Sequence, residues 1–260
     1  MFKIVRIIIL LAIFIALAFY TKTQRLKSRS WSTPLEVVIY PMNGEGSSIV
    51  EEYINQLDDT TYKAIDPFFK REAAHYKLIN EQPFMTRLGQ TLEEFPPEPP
   101  LPPFNTLEAI VWSLKFRYWA YTSTPDNESN LHRVRVFVYY HEATEGTTLQ
   151  HSLGIDKGLL SIVHAFAAKE QQQQNNIVIA HELLHTVGAT DKYNSHNEPI
   201  YPDGYAEPDK QPLFPQQRAE IMSARIPISE FQSKMADNLT QCLIGDKTAT
   251  EINWIQSADN

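Results

Sequence analysis

Two histidines four residues apart, with a glutamate directly after the first, are the residues in this chain best suited to chemistry. The segment reads His181-Glu182-Leu183-Leu184-His185. On a helix, residues four apart lie one turn above each other on the same face, so both imidazoles can reach one metal ion. The carboxylate of Glu182 would lie close to that ion, where it can take a proton from a water that the ion activates. The segment therefore predicts a metal site with a general base beside it.

The flanking sequence predicts a buried helix that ends shortly after the second histidine. Apolar residues recur at helical spacing at Ile177, Ala180, Leu183, Leu184 and Val187. Gly188 then falls where such a helix must stop and the chain must turn sharply. This turn favours Asp191 as a third metal ligand, because a catalytic zinc site has three protein ligands and one open position. The alternative third ligands that the sequence offers are His196, Glu198, Glu207 and Glu220.

The run from His181 to Asp191 resembles the metzincin family of zinc peptidases, whose pattern is H-E-x-x-H-x-x-G-x-x-H. Asp191 stands where most members have the third histidine, which is similar to the variant in the snapalysin-type neutral proteases of bacteria. Metzincins also place a methionine-containing tight turn beneath the metal, and Met222 is the candidate for that turn. The resemblance covers Asn176 to about Pro227, and the N-terminal half of the chain matches no named family.

This resemblance implies an α+β fold of the zincin type, with a mixed sheet, a catalytic helix and a small irregular C-terminal subdomain. It implies a Zn²⁺ ion held by His181, His185 and Asp191, and hydrolysis of peptide bonds in a peptide or protein substrate with Glu182 as general base. A tetrahedral intermediate needs a further electrophile, and tyrosines are frequent in that role. Two tyrosines that follow the third ligand, Tyr193 and Tyr205, are the tentative candidates.

Two other functions remain open at the level of the sequence. A metal-binding or interaction domain on a zincin scaffold could be catalytically silent, although the intact Glu182 argues against a lost base. A zinc-dependent hydrolase could also cleave a non-peptide amide, such as one in cell-wall material.

The first 30 residues predict a signal or membrane anchor with a basic flank, followed by one metallopeptidase domain over residues 31–260. Ile7 to Tyr20 is an unbroken apolar run, and the first 30 residues contain six Lys or Arg and no acid. The run suits either a secretion signal, with a cleavage site near Ala18, or an uncleaved tilted anchor, which we favour. A basic start followed by an apolar run is typical of exported proteins and predicts an extracytoplasmic catalytic domain, periplasmic or extracellular, which we favour. The excess of basic residues after the run would instead keep that domain in the cytoplasm.

Net charge and cysteine content exclude several classes of partner and of metal site. Residues 31–260 contain 17 basic and 31 acidic side chains, a net charge of −14. Nucleic-acid binding needs a basic surface, so we expect no nucleic-acid partner. The single cysteine, Cys242, excludes an internal disulfide and a zinc site made of several cysteines.

Periodicity predicts the elements around the site. Strands are expected at Leu35–Tyr40, at Arg133–Tyr140 and at Gly158–Ala168, the last directly before the catalytic helix. The resemblance implies that an edge strand at this last position pairs with the extended substrate. Helices are expected from Ser48, from Asp66 to about Tyr76 and from the Asn105 cap.

Three further segments have less regular patterns. The proline-rich segment Phe95–Phe104 predicts an extended connector. The polar run Gln171–Asn176 predicts a linker that leads into the catalytic helix. His132 and His141 bracket the second strand and have no ligand at metal-binding spacing, so we expect surface histidines there, and we expect a structural role for His164.

Overall fold

A computed structural model describes residues 2–100, 103, 105–124, 133–144, 149, 152–155 and 158–255. Six α-helices lie within these ranges: α1 (Phe2–Ser28), α2 (Ser48–Ile54), α3 (Ile65–His75), α4 (Thr106–Ser123), α5 (Gln172–Thr186) and α6 (Asp246–Glu251). The strands of the described part are β1 (Leu35–Asn43), β2 (Phe84–Leu88), β3 (Arg133–His141), β4 (Leu153–Ile155), β5 (Leu160–Phe166), β6 (Ala219–Glu220), β7 (Arg225–Ser229), β8 (Gln232–Met235) and β9 (Cys242–Leu243).

The main sheet has five strands in the order β2-β1-β3-β5-β4. Neighbouring strands are parallel except at one edge, where β4 pairs antiparallel with β5 through Leu153↔Ile162 and Ile155↔Leu160. The predicted α+β class with a mixed sheet is therefore confirmed. The strand predicted directly before α5 also exists and is β5. It is an interior strand of the sheet, and the edge strand beside α5 is β4.

The sheet is covered on both faces because its strands are apolar on both faces. Val37 and Ile39 of β1 contribute to the core that also contains residues of α2, α3 and α5. Val38 and Tyr40 of the same strand point the other way, into a smaller core with Phe116 of α4. Helix α5 packs against β5 and β4, which fixes the His-Glu-x-x-His segment beside the antiparallel edge.

Helix α4 begins as predicted but is rotated relative to the expected orientation. Asn105 and Glu108 form the predicted capping box. The residues that helical spacing predicts as its buried stripe face solvent instead, with Leu107 69 % and Tyr118 71 % exposed; the stripe is Leu107, Ile110, Val111, Leu114 and Tyr118. Phe116, with Trp112 and Trp119 beside it, packs on the sheet instead. The helix is apolar around most of its circumference, so its periodicity did not determine which face is buried.

Two helix starts and one linker differ from the prediction. The cap of α2 is Ser47, and Ser48 is already helical. Asp66 lies inside α3 and accepts a hydrogen bond from the backbone of Thr86 in β2 instead of capping the helix. The predicted polar linker 171–176 is mostly helical, because α5 begins at Gln172.

Beyond α5 the chain is irregular, as predicted for a small C-terminal subdomain. Residues 187–218 are fully described and contain no helix and no strand longer than an isolated bridge. The short pairs β6–β9 and β7–β8 follow, and then α6.

The N-terminal hydrophobic segment lies within helix α1 (Phe2–Ser28). The further prediction of a membrane-spanning anchor finds no support, since no helix within the described residues is both long and apolar enough to cross a membrane. Ser28 and Gln24, at the C-terminal end of α1, are buried.

Candidate metal centre

The two histidines of the motif lie side by side on the buried face of α5. The Nε2 atoms of His181 and His185 are 3.0 Å apart, and their rings meet nearly at right angles. Glu182, between them in sequence, also brings a carboxylate oxygen within 4.8 Å of both donor atoms. These three residues form a cluster that could hold a metal ion, and their placement on a helix beside a mixed sheet is compatible with a zincin.

Asp191 completes a tight triangle with the two imidazoles. Its Oδ1 atom lies 3.1 Å from Nε2 of His181 and 3.0 Å from Nε2 of His185. Ligand atoms around a tetrahedral zinc ion are separated by about 3.3 Å, so this triangle has nearly the dimensions of three zinc ligands. The Asp191 oxygen is therefore better placed as third ligand than the oxygen of Glu182.

Backbone carbonyls determine which nitrogen of each ring faces the triangle. Nδ1 of His181 lies 3.0 Å from the carbonyl oxygen of Ile221, and Nδ1 of His185 lies 2.8 Å from that of Ala189. A carbonyl can only accept, so each Nδ1 carries a proton and each Nε2 faces Asp191, to which it donates a hydrogen bond when the ring is protonated. When both rings are neutral, the two Nε2 atoms and Oδ1 are three acceptors that can share one cation, and a donor set of two imidazoles and one carboxylate suits Zn²⁺.

The pKa shifts of His181 and Asp191 also indicate that the centre of the triangle favours a positive charge. Burial opposes charge on both His181 and Asp191, but the hydrogen bonds between them raise the pKa of His181 and hold the pKa of the Asp191 carboxyl well below its usual range. The site thus favours one positive charge at its centre even when a proton is the only cation available.

The other candidates for the third ligand contact groups outside this triangle. His196 is exposed, and its backbone is bound to Asn194. Glu198 accepts a hydrogen bond from Ser233, and Glu207 pairs with Arg218 at 3.5 Å. Glu220 is buried and accepts hydrogen bonds from the backbone of Met222 and Gly245 and from the Thr248 hydroxyl.

Glu182 has the surroundings of a general base. It is 5 % exposed, and its Oε2 has no hydrogen-bond partner within the part of the chain that the structure describes. Burial raises the pKa of this carboxyl, while the two neighbouring imidazoles and the backbone N–H of Gly154 act to lower it. A raised pKa brings a carboxylate closer to the range in which it can both accept and return a proton near neutral pH.

Strand β4 packs directly on this part of α5. A Cβ atom at Gly154 would lie 2.4 Å from Cβ of His185 and 2.7 Å from the carbonyl oxygen of Glu182. Only glycine allows the strand to approach the helix this closely. The antiparallel edge strand therefore passes directly beside the metal-binding residues.

Met222 lies in a tight turn that contacts His181. The backbone N–H groups of Ser223 and Ala224 both donate to the carbonyl oxygen of Glu220, and the Met222 side chain is fully buried. The turn contacts the metal-binding residues through the Ile221 carbonyl, which orients His181. It also contacts the segment of Asp191, because the carbonyl of Met222 accepts from the backbone of Lys192.

The two candidate tyrosines lie in different places. Tyr193 stacks on His181 at 6.3 Å and lines the same cavity, of about 360 Å³, as His181 and Glu182. Burial, together with the adjacent Asp191 carboxylate, raises the pKa of Tyr193 to about 12, so its hydroxyl stays protonated at neutral pH. Tyr205 lines a separate cavity of about 500 Å³ with Arg71 and Asp246.

Histidines outside the motif form a chain that sequence spacing did not reveal. His141 Nδ1 lies 3.2 Å from Glu45, and its Nε2 lies 2.9 Å from Nδ1 of His164. His164 lines the cavity of Glu182, and burial, followed by the proximity of His141, lowers its pKa to about 4. His141 is thus a paired, largely buried residue and not the surface histidine expected, because β3 and β5 bring it beside His164 across the sheet. His132 lies outside the described residues.

No model of a known protein family matches this chain, and no curated protein matches it in sequence. The class of site is therefore defined by the residues and their geometry: a His-Glu-x-x-His cluster on a buried helix of a mixed α+β fold.

Proposed function

We propose that this protein is a zinc-dependent peptidase of the metzincin type, with His181, His185 and Asp191 as the zinc ligands. The observation that carries the proposal is the triangle of two imidazole nitrogens and one carboxylate oxygen, 3.0–3.1 Å on each side, beside a Glu182 oxygen that has no hydrogen-bond partner among the residues that the structure describes. Zinc held there would act as a Lewis acid and lower the pKa of a bound water.

Residues of this chain supply the other parts of a hydrolytic reaction. Glu182 takes the proton of the attacking water and returns it to the leaving amine, which its buried position beside the ligands allows. Tyr193 keeps its proton at neutral pH and can donate a hydrogen bond to the developing oxyanion. His164 lines the cavity as a neutral ring.

The substrate is proposed to be an extended peptide. The edge strand β4 passes directly beside Glu182 and His185, and its outer edge is not paired with any strand of the described structure. An edge of this kind offers backbone hydrogen bonds to an extended chain with little demand on its sequence. The open alternative of a non-peptide amide has no comparable feature in its favour.

Zinc content and hydrolysis measured on the same purified protein test this proposal. We expect about one zinc per chain by plasma mass spectrometry, a large loss of zinc in Asp191→Ala, and cleavage of a fluorescently labelled unfolded protein only by the zinc-loaded parent. Zinc retained at the parent level in Asp191→Ala would contradict the assignment of Asp191 as the third zinc ligand. One zinc per chain without cleavage would leave a metal-binding domain and refute the peptidase.

A further inference from the structure

The third ligand lies in a segment that no helix or strand holds. His181 and His185 are fixed by a buried helix, and their side chains are only 8 % and 17 % exposed. Asp191 follows the end of α5, and its side chain is 44 % exposed. A ligand on an exposed irregular segment loses more conformational freedom on binding a metal, unless other contacts already hold the segment in place.

One carboxylate from the C-terminal helix contacts both neighbours of Asp191. Oε2 of Glu251 accepts hydrogen bonds from the backbone N–H of Thr190 at 2.9 Å and from Nζ of Lys192 at 2.8 Å. Its Oε1 accepts from the Thr190 hydroxyl at 2.9 Å. Glu251 thus fixes the residue before the ligand and the residue after it, without contacting the metal-binding atoms.

Lys192 extends this arrangement into the core. It is 4 % exposed, and its Nζ also donates to the carbonyl oxygen of Thr190 at 2.7 Å. Its backbone N–H donates to the carbonyl of Met222 in the tight turn at 3.1 Å. A buried ammonium needs a partner charge, so the pair with Glu251 is required by burial as well as by geometry.

Helix α6 is itself held from two sides. The indole N–H of Trp31 donates to the carbonyl of Ile252 at 2.7 Å, directly after the helix. The Thr248 hydroxyl donates to Glu220 at 2.7 Å. Glu251 therefore projects from an anchored element, as a residue must if it is to fix a neighbouring segment that no helix or strand holds.

We infer that Glu251 is a positioning residue of the metal centre, which holds Thr190 and Lys192 so that Asp191 is in place before the metal binds. The inference rests on the proposed zinc site. Residues that orient metal ligands from outside the coordination sphere typically contribute about 10- to 100-fold to metal affinity.

The test is the zinc affinity of Glu251→Gln in the full chain, measured by competition with a chelating dye. Gln keeps the size of the side chain but is neutral, so the ion pair with the buried ammonium of Lys192 is lost, and its amide nitrogen cannot accept the hydrogen bonds that a carboxylate oxygen accepts. We expect zinc binding about 10- to 100-fold weaker than in the parent. Asp246→Asn is the matched control, because it neutralises an exposed carboxylate of the same helix that contacts Tyr76, and we expect parent affinity.

A double-mutant cycle separates positioning from a general loss of structure. If Glu251 acts through Asp191, then Glu251→Gln should weaken zinc binding by about twofold at most once Asp191→Ala is present. The same loss in both backgrounds would overturn the inference, as would parent affinity in Glu251→Gln alone.

A second variant covers the case in which Glu251→Gln does not fold. Thr190→Val removes the hydroxyl of an exposed residue, which donates to Glu251 and accepts from Nζ of Lys192, and it leaves the backbone contact of Thr190 with Glu251 in place. We expect a several-fold loss of zinc affinity in this variant. Parent affinity in this variant would overturn the inference. Failure of the peptidase proposal gives a different result. The parent would then bind zinc, and Glu251→Gln and Asp191→Ala would still be coupled in their effects on zinc affinity, but the parent would not cleave protein.

Discussion

At the scale of the residue, the proposed reaction depends on the carboxylate of Glu182. Oε2 of Glu182 is buried and has no partner within the described residues, while an unpaired buried acceptor normally costs about 1–3 kcal/mol. Glu182→Gln keeps the shape of this side chain and removes its basicity. We expect peptide hydrolysis to fall by about 10²- to 10⁴-fold, with zinc content unchanged, as measured by initial rates and plasma mass spectrometry.

A surface glutamate provides the control for this experiment. Glu170 is exposed, shortly before α5, and Glu170→Gln makes the same chemical change away from the cavity. It should hydrolyse at the parent rate. Parent activity in Glu182→Gln would contradict the role of Glu182 as general base. Loss of zinc in that variant would instead favour Glu182 as a zinc ligand, since its oxygen lies within 4.8 Å of both imidazole nitrogens.

The two tyrosines allow a second comparison at the same scale. Tyr193→Phe removes the hydroxyl that lies beside Asp191 in the cavity, and we expect kcat to fall by roughly 10²-fold with zinc affinity changed little. Tyr205→Phe makes the identical change in the separate cavity and should leave kcat at the parent value. Equal effects from both variants would show that Tyr193 has no special part in the reaction.

At the scale of the element, the tight turn beneath the histidines depends on one buried acid. Glu220 accepts hydrogen bonds from Met222, from Gly245 and from Thr248, and so joins the turn to α6. Burial raises its pKa from 4.5 to about 7, because the hydrogen bonds only partly offset the desolvation of the charge. The folded state therefore binds this proton more tightly than the unfolded state does.

The sign of the resulting pH dependence follows from linkage. The contribution of Glu220 is fully present below pH 4.5 and is lost as the pH rises through about 7. The loss is on the order of 3 kcal/mol in the free energy of unfolding, since one pKa unit corresponds to about 1.4 kcal/mol. Urea unfolding of the metal-free protein at several pH values should show this slope in the parent and lack it in Glu220→Gln. Glu230→Gln, at an exposed position, should keep the parent slope, and a parent slope in Glu220→Gln would contradict the assignment.

The elements also show what the sequence could and could not predict. Strands β1 and β3 and the capped start of α4 follow from strong local patterns, and the structure confirms them. Strand β4 has three residues and no pattern of its own, and it exists because its backbone pairs with β5.

The polar start of α5 is helical and not the linker that the sequence predicts, for a related reason. Asn175 exchanges hydrogen bonds with the backbone of Phe166 in β5, and Asn176 donates to the carbonyl of Thr61. Tertiary contacts thus satisfy polar side chains that look like a linker in sequence. The same limit applies to the site: the motif predicted that His181, Glu182 and His185 cluster, but the contacts of Glu251 and His141 join residues far apart in the chain.

At the scale of the whole molecule, the proposed metal site lies where helix α5, which packs on the main sheet, meets the irregular segment that follows it. α5 contributes the histidines, the turn at Met222 orients one of them, and the segment after Gly188 contributes Asp191. A zinc ion bound at this junction binds the folded chain and not the unfolded one, so it adds its binding free energy to the stability of the entire fold.

Removal of zinc should therefore lower the thermal midpoint of the whole protein. With free zinc at about 1,000 times its dissociation constant, the stabilisation is about 4 kcal/mol, which corresponds to roughly 8–16 °C for a chain of this size. Differential scanning fluorimetry of the zinc-loaded parent should show a fall of this order on addition of a chelator and recovery with excess zinc. Asp191→Ala should unfold at nearly the same temperature with and without the chelator, because it lacks the exposed ligand that closes the triangle. A midpoint of the parent that does not respond to the chelator would mean that the metal does not bind across this junction.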